Sequence, residues 1–495
     1  MRYLSSTLFG LLLLAAPLHW GHAAEPGSRP AAKVQNAPKS AAAAQVQLDE
    51  LEKEVERLAR PLIDEGRVVG MTVGVVHGDK CRVWAFGRTG GEGTAKPDGK
   101  TVYEIGSISK VFTGTLLADM VERGEVRLDT TVASLLPAEA VLPEGNARKI
   151  TLLDLATHTS GYPRLPSNML LLVAARPENP YADYTPELLH SFLESFAPAV
   201  EPGQSFLYSN LGVGLLGHLL AKKADKDYES LLVERIAGPL GMSDTRICLN
   251  EEQKQRFAQG YGPNGKPAGP WDIPTLAGAG GIRSTVDDML KFAQANLVAA
   301  KMDAGGDSRS ELHPLGTTDQ TARHPRSMPG LSASDVETRA DKQPVAPASS
   351  IQTDPLGSDQ PSDRPPAPPE LISAMQLAQK RQRPILPQPP PPVAAYYGAA
   401  ERLMKAAGVD VKKPRRRPEP PQIALGWHYN AGDGVLWHNG QTGGYHSYLA
   451  IQPEADAGVV VLSNASTGAI DRLGGQLLRW LARSADNTPE GSAEE

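Results

Sequence analysis

A proline-rich stretch in the second half of the chain sets the strongest limit on what this sequence can fold into. Residues 303–421 contain 21 of the 43 prolines and only two aromatic residues, so they cannot bury enough apolar surface to offset the entropy cost of ordering them. We interpret 303–421 as a largely disordered insertion, in which 370–383 has helical periodicity and could pack as a helix. The core is then expected from 46–302 and 422–484.

Both chain ends lie outside these two blocks. Arg2, the apolar run behind it and the small residues before position 25 predict a secretory signal peptide over 1–24. Because the apolar run is short for a membrane span, we expect an exported protein, periplasmic or secreted, rather than an anchored one. Residues 25–45 predict a flexible leader, and 485–495 predict a disordered tail.

Charge and composition restrict the partners. The net charge of −6 argues against an overall basic nucleic-acid footprint, so no nucleic-acid partner is expected. Inside the insertion, Lys412 to Arg417 form a basic run that could contact a cell wall or a membrane surface, although a solvated linker is the default interpretation.

The metal-binding and thiol residues indicate no cofactor. His428, His438 and His446 match no recognised zinc-hydrolase motif, so we expect neither a metal site nor a cofactor. Cys81 and Cys248 could pair in an exported chain or remain two separate thiols, and both alternatives stay open.

The residue patterns predict a mixed fold. Val69–His77 and Cys81–Phe86 predict a β-hairpin, and short strand patterns recur in the last ordered block. Residues 130–300 are mostly helical in pattern, and His158, near the end of a short helix there, is expected to be structural rather than catalytic. A hairpin followed by a helix from Ser107 favours an α/β fold with helices packed on a sheet.

The start of that helix carries a candidate catalytic pair. Ser107 and Lys110 are three residues apart, which places both on one face of the first turn. A serine hydroxyl is a poor nucleophile until a base removes its proton, and a desolvated lysine one turn away can serve directly or tune a second base. The pair alone is a weak signal, because two common residues recur at this spacing by chance.

Three further motifs follow in a fixed order: Tyr208-Ser209-Asn210, Trp437-His438-Asn439-Gly440 and Thr442-Gly443-Gly444-Tyr445. Together with Ser107-x-x-Lys110, they make the chain resemble the penicillin-recognising serine hydrolases. It looks most like class C β-lactamases and their relatives, the D-alanyl-D-alanine carboxypeptidases and family VIII esterases. The resemblance covers roughly residues 50–300 and 422–483.

The resemblance implies a β-lactamase/transpeptidase-like α/β (α+β) fold. An antiparallel sheet would be built from both chain ends and flanked by helices, with a mostly helical lobe between them. The active site would lie where the lobe meets the sheet, and the domain would comprise 46–302 and 422–484.

The resemblance also implies roles for individual residues. Ser107 matches the nucleophile that forms an acyl-enzyme, Lys110 the lysine of the proton network, and Tyr208 the expected general base. Asn210 would hold the substrate amide, and the backbone N–H groups of Ser107 and Gln441 would form the oxyanion hole.

One position departs from the family pattern. His438 heads the His-Asn-Gly440 motif, where β-lactamases and peptidases carry a lysine that faces the substrate carboxylate. Histidine, with an ordinary pKa near ~6.5, is mostly neutral at pH 7. The expected substrate is therefore a small molecule or peptide with a carbonyl group: a β-lactam, a D-Ala-D-Ala-type peptide or an ester. A catalytically weak cell-wall-binding protein is the alternative from a different class.

Overall fold

The structure, a computed structural model, describes residues 37–305, 367–380, 382–384 and 422–486. The predicted signal peptide, most of the predicted leader and insertion, and almost all of the predicted tail lie outside the described residues. The chain divides into two compact units, residues 1–53 and 54–495. The first contributes the beginning of helix α1, and every other element belongs to the second.

Helices and strands are unevenly distributed along the chain, with a long run of helices between the first and last strands. The helices are α1 (Ala37–Asp64), α2 (Ser109–Glu122), α3 (Val132–Leu135), α4 (Asn146–Lys149), α5 (Leu152–Ala156), α6 (Leu170–Ala175), α7 (Pro186–Ser195), α8 (Asn210–Lys223), α9 (Tyr228–Leu232), α10 (Glu251–Gln255), α11 (Val286–Gly305), α12 (Pro369–Gln379) and α13 (Ala469–Asp486). The strands are β1 (Gly70–His77), β2 (Lys80–Gly87), β3 (Tyr103–Glu104), β4 (Gly260–Tyr261), β5 (Pro267–Ala268), β6 (Arg283–Ser284), β7 (Arg383–Pro384), β8 (Gln422–Ile423), β9 (His428–Asn430), β10 (Val435–Gln441), β11 (His446–Gln452) and β12 (Ala457–Ser463).

Eight of these strands form one antiparallel sheet, in the order β2-β1-β12-β11-β10-β9-β8-β7. The hairpin from the first sequence block therefore pairs with the last strand of the second block, with Gly74 opposite Val460. The predicted α/β fold, with an antiparallel sheet from both chain ends, is confirmed.

Helices cover both faces of the sheet centre. On one face, a Cβ added to Gly74 would lie 2.5 Å from Val286 of α11. On the other, a Cβ added to Gly474 of α13 would lie 2.2 Å from the ring of Tyr448, whose neighbour Leu449 is in register with Val460. Because both faces are covered, every residue of β12 is buried, as a nearly continuous apolar run requires.

Helix α12 connects the second sequence block to the helical lobe. Its apolar side chains are buried against α2 and α11, and the amide nitrogen of Gln379 donates to the carbonyl of Asn296 at 2.9 Å. The backbone N–H of Leu425 donates to the carbonyl of Ala378 at 3.0 Å. The segment that follows the predicted insertion is thereby held against α2, while the boundaries of that insertion stay a prediction.

Two remaining features concern the thiols and the membrane. Within the described ranges no disulfide joins Cys81, on β2, to Cys248. Among the described helices, none has both the length and the apolar character needed to cross a bilayer.

The packing of α2 against the segment at Leu425 can be tested by substituting a glycine of α2. A Cβ on Gly114 would lie 2.1 Å from the carbonyl oxygen of Leu425. Alanine is normally favoured over glycine in a helix by about 1 kcal/mol, but here we expect Gly114→Ala to lower the free energy of unfolding by about 2 kcal/mol through overpacking. Urea denaturation measures this.

Gly475→Ala is the matched control, because its added Cβ would make only ordinary contacts, the nearest at 3.6 Å. We expect that variant to be unchanged or slightly more stable. Equal effects of the two substitutions would contradict the close approach of α2 to Leu425.

Candidate active site

The candidate nucleophile lies at the junction of the sheet and the helical lobe. Strand β3 leads through Gly106 into a 3₁₀ turn, Gly106–Ile108, and α2 begins at Ser109. Gly106 has φ +50°, and a Cβ there would lie 2.7 Å from the backbone nitrogen of Gln441. Glycine is required for both reasons. The end of β10 therefore lies directly beside the backbone of Ser107.

Ser107 and Lys110 are in contact. Lys110 Nζ lies 2.9 Å from Ser107 Oγ and donates to the carbonyl oxygen of Ala279 at 2.5 Å. Lys110 is completely buried, and this burial, with a smaller effect from the charge of Arg164, holds its pKa well below the usual value. The lowered pKa favours the neutral amine, which can donate to Ala279 and still accept the proton of the Ser107 hydroxyl.

Tyr208, just before α8, completes the cluster. Lys110 Nζ lies 5.0 Å from the centre of its ring. Burial raises the pKa of Tyr208 to about 12, although a side-chain hydrogen bond with Ser107 and the charge of Arg164 act in the opposite direction. The phenol is therefore protonated at neutral pH. A protonated phenol can donate a proton, whereas the general-base role predicted from the sequence needs the phenolate, and that role stays a prediction.

The ring of His158 packs against the ring of Tyr208. Its ring stacks on the tyrosine ring with 4.4 Å between centroids, and its Nδ1 accepts the backbone N–H of Ser209 at 3.1 Å. Burial, and then the charge of Lys110, lower its pKa well below the usual value. A neutral ring that accepts at Nδ1 carries its proton on Nε2. His158 contacts the cluster through its ring, and the structural role expected from the sequence stays a prediction.

His438 is neutral in this structure. It lies on β10, is only 1% exposed, and its Nδ1 is 2.5 Å from the carbonyl oxygen of Asn439. Because a carbonyl can only accept, Nδ1 carries the ring proton and Nε2 is a bare, buried acceptor. Burial, then the charges of His428 and Lys110, lower the pKa of His438 well below its usual value. The sequence-based expectation of an ordinary pKa near ~6.5 is therefore corrected, and His438 offers no cation to a substrate carboxylate.

The other predicted substrate-binding residues line the same junction. Asn210 is the first residue of α8; its Nδ2 donates to Tyr181 Oη at 2.9 Å, and its Oδ1 has no partner among the described residues. Gly440 lies against the residue that follows β3, since an added Cβ would be 2.0 Å from the Ile105 carbonyl. The side chain of Gln441 donates to Ser466 Oγ at 2.9 Å, which leaves only its backbone to face Gly106.

Sequence reasoning missed two charged residues near this cluster. Arg164 is exposed, and its guanidinium carbon lies 5.2 Å from the centre of the Tyr208 ring. Glu104, on β3 three residues before Ser107, is buried, which raises its pKa to about 7, and its Oε1 accepts the backbone N–H of Trp271 at 2.7 Å. A lone acid in an apolar run was a usable signal for Glu104. The sequence around Arg164 carries no such signal.

Metal-ligating side chains are not grouped in the described part of the chain: no three His, Cys, Asp or Glu residues there are arranged to hold an ion. The site geometry instead consists of a serine, a desolvated lysine, a protonated tyrosine and neutral histidines. Such a set suits nucleophilic catalysis with proton transfer.

The Beta-lactamase family model matches residues 55–335. The chain belongs to the Beta-lactamase family. It is 30% identical over 249 residues to a β-lactamase of Pseudomonas fluorescens, a match that covers 50% of this chain and 65% of that protein. It is also 30% identical over 293 residues to the D-alanyl-D-alanine-carboxypeptidase/endopeptidase AmpH of Escherichia coli K12, covering 59% of this chain and 69% of that protein.

Solved structures share the fold. A class C β-lactamase mutant superposes with a TM-score of 0.58 at 19% identity, covering 88% of this chain and 97% of its own. D-alanine carboxypeptidase AmpC from Burkholderia cenocepacia gives a TM-score of 0.56 at 23% identity, covering 88% and 99%. The family match confirms the predicted membership of the penicillin-recognising serine hydrolases, and the chain spans 65% of the length of the β-lactamase that it matches.

Burial of the histidines makes stability depend on pH. His428 on β9 lies 4.9 Å from His438 between ring centroids, and burial, then the charge of Lys110, lower its pKa to about 4. A histidine whose pKa is lower in the folded than in the unfolded protein costs no stability at a pH above its unfolded-state pKa. The protein loses stability as pH falls from the unfolded-state pKa towards the folded-state pKa. Between pH 8 and pH 5 we expect His428 to account for about 2 kcal/mol of lost stability.

The His428→Gln variant measures this contribution. It should lose about 2 kcal/mol less than the unmodified protein between pH 8 and pH 5, when urea unfolding is followed at each pH. Parallel pH profiles for the two proteins would show that His428 is not held neutral by its surroundings.

Proposed function

We propose that this protein is an exported serine hydrolase that forms an acyl-enzyme at Ser107 and acts on β-lactam or D-Ala-D-Ala-type amide bonds. The observation that carries the proposal is the contact of Ser107 Oγ with a buried Lys110 whose pKa is held well below its usual value. The signal peptide predicted over 1–24 supports a periplasmic or secreted location.

The acylation step follows from the protonation states. Neutral Lys110 accepts the Ser107 proton as Oγ attacks the substrate carbonyl carbon. The backbone N–H groups of Ser107 and Gln441 would stabilise the oxyanion, because the two backbones are adjacent at Gly106. Collapse breaks the bond to the leaving atom, to which Tyr208 donates its proton. The proton held by Lys110 then returns to Tyr208, which restores both side chains, and water hydrolyses the ester to release the acid and regenerate the Ser107 hydroxyl.

The substrate class rests on the cleft and on the relatives. The unpartnered Oδ1 of Asn210 is an acceptor for a substrate amide N–H, as an amide or lactam side chain would offer. The two relatives named above are a β-lactamase and a D-alanyl-D-alanine carboxypeptidase/endopeptidase. Contact of the basic run in the insertion with a cell wall remains part of the proposal, and that run lies outside the described residues.

A carboxylesterase is the second candidate, and a specific observation favours it. The position that the resemblance assigns to a fixed cation holds the neutral His438, and an ester needs neither that charge nor strong protonation of its leaving group. The alternative of a catalytically weak wall-binding protein is opposed by the intact contact between Ser107 and Lys110.

Replacement of the nucleophile tests the proposal. We expect Ser107→Ala to abolish turnover of nitrocefin, short acyl esters and D-Ala-D-Ala peptides while the protein stays folded, because Ser107 is partly exposed and the change removes a single oxygen atom. Circular dichroism monitors folding. Turnover retained by the folded variant would remove Ser107 from the mechanism.

Tyr208→Phe tests the proton-donor role. We expect it to slow amide or lactam hydrolysis on the order of 10²–10⁴-fold, and to slow hydrolysis of a p-nitrophenyl ester much less, since nitrophenolate leaves without a proton. Tyr162→Phe is the matched control, because Tyr162 is a buried tyrosine whose hydroxyl has no partner among the described residues. Equal slowing of both substrate types by Tyr208→Phe would argue that the tyrosine serves as a base instead.

A further inference from the structure

The site lacks a cation where the resemblance places one. His438 is neutral and buried, with its proton directed at the Asn439 carbonyl. Lys110 cannot replace it, since its Nζ is completely buried and already engaged by Ser107 and Ala279. A substrate carboxylate would find no partner at either position.

Arg164 is a cation that is both exposed and unengaged. Its guanidinium lies over the Tyr208 ring, and in the part of the chain that the structure describes it has no ion pair and no side-chain hydrogen bond. By contrast, Arg235 is paired with Asp119 and Glu125. An arginine held at a cleft without an acid leaves its donors available to a ligand.

The backbone fixes Arg164 at this place. Its carbonyl oxygen accepts the backbone N–H groups of Asn210 and Leu211, at 3.0 and 3.2 Å. These are the first two residues of α8, so Arg164 is tied to the residue predicted to hold the substrate amide. Its charge also acts on Lys110 and Tyr208, which places the guanidinium within electrostatic reach of the reacting groups.

We propose that Arg164 recognises a carboxylate on the leaving side of the substrate, and that the protein prefers anionic substrates. The proposal rests on the proposed function above, in which Tyr208 protonates the leaving atom. Since Arg164 lies over Tyr208, a carboxylate carried by the leaving group reaches the guanidinium. The planar guanidinium binds a carboxylate through two parallel hydrogen bonds, which a lysine or a neutral histidine cannot reproduce.

Three acetyl esters test the charge preference without changing the acyl group. They are 4-acetoxybenzoate, with a carboxylate on the leaving phenol, its neutral isostere 4-acetoxybenzamide, and 4-acetoxybenzylamine, with an ammonium group. The quantity compared is the ratio of kcat/KM for the anionic ester to that for the neutral one, because it cancels general effects of a substitution on acylation.

We expect Arg164→Gln to lower this ratio roughly 10-fold, and up to about 100-fold, mainly through KM. Arg164→Lys should recover part of the loss, and Arg164→Glu should shift the preference to the ammonium ester. Arg127→Gln is the matched charge control, since Arg127 pairs with Asp129 on the surface beyond the other end of α2. It should leave the ratio unchanged.

The outcomes separate this inference from the proposed function. If the unmodified protein, Arg164→Gln and Arg164→Glu all turn over the esters with the same ratio, the role of Arg164 is overturned. The proposed hydrolase function then still stands. If Arg164→Gln and Arg127→Gln lower the ratio equally, the role of Arg164 is overturned as well, because the effect is then one of net charge. No turnover of any ester and no reaction at Ser107 removes the proposed function, and this inference with it.

Discussion

The site depends on a close approach of two backbone segments, Ile105–Gly106 and Gly440–Gln441. An added Cβ on Gly440 would lie 2.0 Å from the Ile105 carbonyl, and that carbonyl also accepts the hydroxyl of Ser447 at 2.7 Å. Only glycine permits such an approach. Because one segment precedes α2 and the other ends a strand of the sheet, this contact determines where Ser107 stands relative to the sheet.

The cluster behind Ser107 is buried from solvent. Lys110, His158 and His438 lose solvation together, which lowers the pKa of each, and the pKa of Tyr208 rises for the same reason. Burying four ionisable groups costs stability, and functional sites commonly carry that cost. The lowered pKa of Lys110 favours a neutral amine beside the Ser107 hydroxyl, and the raised pKa of Tyr208 favours a protonated phenol, which together suit proton transfer around the serine.

Much of this could be predicted from the sequence. Short-range patterns determine local structure directly, which is why they could be recognised. They are the strand patterns of the hairpin, the Ser107-x-x-Lys110 spacing and the Tyr208-Ser209-Asn210 motif. The protonation states of Lys110 and His438 were not predictable, since they depend on burial by segments far apart in sequence. The same holds for Arg164, whose place over the Tyr208 ring results from hydrogen bonds to the start of α8.

The central claim is that Ser107 is a reactive nucleophile that forms an acyl-enzyme, and the covalent intermediate tests it most directly. The protein is incubated with penicillin G at neutral pH, quenched in acid, and examined by intact mass spectrometry and peptide mapping. We expect one added penicillin per chain, with the adduct on Ser107. An unmodified protein at high penicillin concentration, or an adduct on another residue, would contradict the claim.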